Sequence, residues 1–195
     1  MPEFTAQPFF EIARRLEIRG DTGWLAVLTV AADPTAPLEE LQTELQSILQ
    51  KPARVIQLEP STFEELREAL HLPDDDAVIL SGGTGLTPEK WRSLDIMRSA
   101  LERKGPVVLW LSPGDVANVA EYAPNIRSFI GSGIFVAGPD GGTMTEAERQ
   151  ERLRQLSQHY GMTAEETVRR AEAKALPHEP EFVEWLVLLG RGDLV

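Results

Sequence analysis

Short runs of consecutive apolar residues alternate along this chain with longer stretches in which apolar positions recur every three or four residues. That alternation predicts a parallel sheet covered by helices on both faces. After a first helix, five strands can be read: TGWLAVLTVAA from Thr22, ARVIQLEP from Ala53, DAVILSGG from Asp76, PVVLWLSP from Pro106 and GIFVAG from Gly133. Each is apolar throughout instead of alternating, which predicts burial on both faces. Between them, PLEELQTELQSILQ sets Leu38, Leu41, Leu45, Ile48 and Leu49 on one helical face, and STFEELREALHL opens on Ser61 with Glu64 three residues on, the spacing of a capping box. A third helix is expected to start at the N-cap Thr87, with Pro88 at its first position, and to run to Gly105 and Pro106. The fold class expected is α/β, an open parallel sheet of about five strands with helices on both faces.

Past Gly138 the composition changes. The turn GPDGG leads into TMTEAERQERLRQLSQHYG, MTAEETVRRAEAKA and LPHEPEFVEWLVLLGRGDLV, all helical in pattern, with acidic residues where helices begin. Residues 1–140 are read as the α/β domain and 141–195 as a helical extension. The last helix carries Phe182, Val183, Trp185, Leu186, Val187, Leu188 and Leu189 and has almost no polar face, so it is expected to be buried in its own domain or against another chain.

Charge and composition narrow the function. With 19 Lys and Arg against 31 Asp and Glu, the net charge of −12 opposes nucleic acid and anionic membranes. The basic residues of Arg98–Lys104 and Arg149–Arg154 are interleaved with acidic and apolar ones, as on a solvated helix face. Zero cysteines exclude disulfides and thiolate chemistry, no apolar run approaches the ~20 residues of a membrane span, and MPEFTAQPFFEIARR lacks the pattern of a signal peptide. A cytoplasmic location is the expectation.

Candidate chemistry is sparse. The loop after the first strand, AADPTAPLEEL, has no glycine or lysine for a phosphate, and Asp33, Pro34 and Pro37 work against one. The third strand ends in SGGTGLTP, where Gly82, Gly83, Thr84 and Gly85 run into a capped helix start. Such a turn either cradles an anion with its backbone amides or makes a tight bend with positive φ. His71, His159 and His178 show no metal or triad spacing, and no metal site or cofactor is expected. Asp74, Asp75 and Asp76 read as a solvated acidic turn, and Ser112 and Asp115 as a helix cap with its first-turn carboxylate.

Two resemblances bear on the same residues. The turn Gly82, Gly83, Thr84, Gly85 and Pro88 resembles the GGTG element of the molybdopterin-binding family, although Glu89 and Lys90 stand where that family carries an Arg-Asp pair. Over a longer stretch, from Leu25 to Gly142, VILSGGTGLTPEKWRSLDIMRSAL and GPVVLWLSPGDVANVAEYAPNIRSFIG look like the P-loop core of STAND-type, NLR-like ATPases of bacterial defence and signalling, and the tail from Tyr160 to Leu194 looks like a helical extension of such proteins. That second resemblance implies a P-loop-like fold and a signalling context. The glycine-lysine-threonine loop and the acidic strand end that such a family uses on ATP are missing here.

The expected function is a non-catalytic adaptor or regulatory protein in bacterial antiviral defence or protease-linked signalling. Its partner would be an effector or protease of the same pathway. The candidate contact residues are Phe182, Trp185, Leu188 and Arg191 on the last helix and Tyr122, Asn125 and Arg127 around the Ala-Pro-Asn element. The alternative is a binder or enzyme for a nucleotide or a pterin at Gly82–Gly85, and self-association is a third possibility.

Overall fold

The computed structural model describes residues 9–19, 23–29, 35–59, 62–71, 76–101, 103–130, 134–138, 142–177 and 179–195. All five expected strands are present: β1 (Trp24–Leu28), β2 (Ala53–Gln57), β3 (Ala77–Ser81), β4 (Val107–Leu111) and β5 (Ile134–Val136). They pair in parallel in the order β2-β3-β4-β1-β5. The fold is α/β.

Position in that order explains the burial of each strand. The interior strands β1, β3 and β4 are buried along their whole length, as uniformly apolar runs require. At the edges, β2 and β5 are only partly covered, which corrects the expectation of burial on both faces for these two. Both edges are closed locally by the chain itself. The Nε2 groups of Gln42 and Gln46 donate to the outward carbonyl of Ala53 at 2.7 and 3.3 Å. Beside β5, residues 142–144 fold back antiparallel, with Met144 N donating to the Val136 carbonyl at 2.8 Å.

One sheet face packs against α1 (Phe10–Arg19) and α2 (Thr35–Leu49) through Ile12, Leu16, Leu41 and Leu45. The opposite face, lined by Ala26, Leu28, Leu80 and Leu109, takes α3 (Phe63–His71), α4 (Pro88–Ile96), α5 (Pro113–Tyr122) and α6 (Pro124–Ile130). Chain exit from β1 therefore leads to one face and exit from β4 to the other. Between two such strands an open parallel sheet has its topological switch point, and the carboxyl ends of β1 and β4 form the crevice where a ligand would be expected.

Several local expectations shift. The cap of α3 lies one residue later than the Ser61–Glu64 reading: Thr62 N donates to Glu65 Oε2 at 2.7 Å, and Glu65 N to Thr62 Oγ1 at 3.3 Å. The bonds from Thr62 hold the Glu65 carboxyl below its ordinary range. Ser61 itself lies outside the described residues. The third helix stops at Ile96 instead of reaching Gly105, and the chain tightens into a 3-10 turn, Arg98–Leu101, that packs against α3. Asp76 is buried against Arg54 at 3.1 Å, so it is not part of a solvated turn; Asp74 and Asp75 lie outside the described residues. Pro124 divides the segment after β4 into α5 and α6, since proline breaks the helical ladder.

The C-terminal helices are α7 (Glu146–Tyr160), α8 (Ala164–Glu172) and α9 (Pro180–Leu188). Gly161, with φ 62°, ends α7 in the left-handed conformation that a glycine adopts freely. The apolar α9 is buried in its own chain. It lies on α5, and Val187 joins the core on that side of the sheet. Phe182, Trp185 and Leu188 form a second cluster with Leu156 of α7. The rings of Phe182 and Trp185 stack at 6.1 Å, with Tyr160 tilted against both. Arg149 and Arg152 on α7, expected on a solvated face, instead secure α9: Arg149 Nε donates to the Leu188 carbonyl at 2.6 Å, and Arg152 meets the buried Glu184 carboxylate with two bonds of 2.6 and 2.8 Å. No described helix is long and apolar enough to cross a membrane.

Trp185 is among the largest fully buried side chains. Trp185→Ala is expected to cost about 3–5 kcal/mol, lowering Tm by roughly 10 °C in a chain of this size. Thermal denaturation followed by circular dichroism checks it, and a shift of only a degree or two would show that the cluster adds little to the fold.

Candidate functional site

The glycine turn sits at the carboxyl end of β3, beside the crevice, with its conformation set residue by residue. Gly82 has φ 79°, so here the tight-bend explanation holds. Residues Gly83–Gly85 form one 3-10 turn closed by Leu86 N donating to the Gly83 carbonyl at 2.9 Å. Thr87 then caps α4, accepting from Lys90 N at 3.4 Å, with Pro88 in the first turn as the sequence predicts.

Gly83 and Gly85 have negative φ, so what a Cβ would meet decides the effect of replacing them. A Cβ on Gly83 would lie 3.0 Å from Trp91 Cζ2 and 3.1 Å from Asp115 Oδ1. A Cβ on Gly85 would fall inside the Glu59 carboxylate. At Gly82 it would meet Gln57 Oε1 at 2.7 Å. Two carboxylates and an amide oxygen thus pack on the turn, supplied by Gln57 of β2, Glu59 just beyond it and Asp115 of α5.

Asp115 organises this end of the sheet. It is 2 % exposed, and its Oδ2 accepts from Ser112 N at 2.9 Å, Ser112 Oγ at 2.7 Å and Thr84 Oγ1 at 3.3 Å. With Asp115 N donating to Ser112 Oγ at 3.2 Å, Ser112 and Asp115 form the capping box of α5, and the bond from Thr84 carries that box across to the glycine turn. The hydroxyl of Ser81 donates to Gln57 Oε1 at 3.1 Å, and Thr29, at the end of β1, donates its backbone N–H to the Leu111 carbonyl at 2.8 Å. Asp33 and Pro34 lie outside the described residues.

The candidate contact residues are mostly engaged within the chain. Phe182, Trp185 and Leu188 are buried, so these three do not form an exposed surface. Asn125 donates its Nδ2 to the buried Asp95 Oδ2 at 2.7 Å, while Asp95 Oδ1 accepts from Ile126 N at 2.9 Å at the start of α6. Arg127 reaches the Gly192 carbonyl; burial lowers the pKa of its guanidinium, and nearby Asp193 offsets part of that effect. Arg191 bonds Asp193 at 3.1 Å and Glu172 at 3.3 Å, both of which favour its charged form. Tyr122 is half-buried under the Arg92 guanidinium, 4.7 Å from its ring centroid, and its bond to Glu121 raises the hydroxyl pKa. Of the seven, Tyr122, Asn125, Arg127 and Arg191 remain partly exposed. His71 ends α3, His159 lies edge-on to Tyr160 at 4.7 Å, and His178 is outside the described residues. Among the described residues no group of three His, Asp or Glu side chains could hold a metal ion.

The turn makes a prediction in which the smaller overlap is the costlier one. Gly83→Ala presses on the rigid indole of Trp91 and the fixed carboxylate of Asp115, and about 1–3 kcal/mol of destabilisation is expected from overpacking. Gly85→Ala meets the flexible end of Glu59, which can swing away, and should cost less than about 1 kcal/mol. Urea denaturation of the two variants compares them, and equal losses would contradict the packing described. No family model and no curated protein matches this chain in comparisons with known proteins.

Proposed function

We propose that this chain is a non-catalytic adaptor or regulatory protein that works through protein–protein contact. The observation that supports the reading is the occupation of the glycine turn by the chain's own carboxylates, Glu59 over Gly85 and Asp115 against Gly83. An anion site at a helix start depends on bare amides and local positive potential. A phosphate charge brought to ~4 Å from one carboxylate meets about 4 kcal/mol of repulsion near a protein surface, and two carboxylates compound it.

The resemblance of residues 25–142 to the P-loop core of STAND-type, NLR-like ATPases supplies the context: bacterial antiviral defence or protease-linked signalling, with an effector or protease as partner. The missing glycine-lysine-threonine loop and acidic strand end fit a member of such a system that has given up hydrolysis.

Native mass spectrometry of protein purified gently from its own host tests this reading. A second polypeptide bound in stoichiometric amount is expected. A bound mass of nucleotide or pterin size, or phosphate release from ATP that Thr84→Ala abolishes, would overturn it in favour of a small-ligand site.

A further inference from the structure

We draw no further inference here: the strongest candidate, the shallow groove along the outer side of α1 lined by Phe10, Arg14, Ile18 and Phe135 of β5, is an apolar face whose arginines are matched by Glu11 and Glu17, and nothing in the structure shows what covers it.

Discussion

A buried carboxylate is costly unless donors reach it, and Asp115 gathers three of them on one oxygen, Oδ2, by drawing two loops together, while its buried Oδ1 has no hydrogen-bond partner among the described residues. Its Oδ2 takes the backbone and hydroxyl protons of Ser112 and the hydroxyl proton of Thr84, so the exit of β4 and the turn after β3 are fixed to one atom. The consequences spread from there. Gly83 has to be a glycine because Asp115 and Trp91 close on it from two sides, and Trp91 in turn fills the core beneath the turn. A crevice that the strand order places between β1 and β4 is therefore bordered by side chains bonded to one another. The polar groups one might assign to a ligand are the groups that hold the sheet end in shape.

The C-terminal helices obey the same logic with the charges reversed. Their composition reads as a separate acidic and basic tail, yet α9 is too apolar to stand in water and lies on α5. Arg149 and Arg152 hold it from the other side, one by a backbone carbonyl and one by the buried Glu184. The pairing with Glu184 favours the protonated form of Arg152, as expected for a cation facing a carboxylate with little solvent between them.

The sequence carried the architecture and hid the use of its polar residues. Short, β-branched apolar runs flanked by turn residues pointed to strands, and all five stand where the pattern put them. Caps at Thr87 and Ser112 were legible because the N-cap hydroxyl, the following proline and, for Ser112, the carboxylate three residues on are local features. Edge exposure of β2 and β5 depends on strand order, which no local pattern encodes. The same holds for Asn125, whose partner Asp95 is thirty residues away, and for Arg127, which serves a carbonyl near the C-terminus. Glu59 was invisible for a further reason: its relation to Gly85 exists only once β2 and β3 are adjacent.

The glutamines of α2 have a consequence beyond packing. An open parallel sheet can add strands at its edge, and at β2 the outward carbonyl of Ala53 is the first acceptor an incoming strand would require. Gln42 and Gln46 both donate to it. A foreign strand would have to displace two amides before it could align, and misaligned strands place their side chains on the wrong faces. The pair therefore occupies the first acceptor at this edge, the kind of cover by which native sheets discourage the addition of a foreign strand.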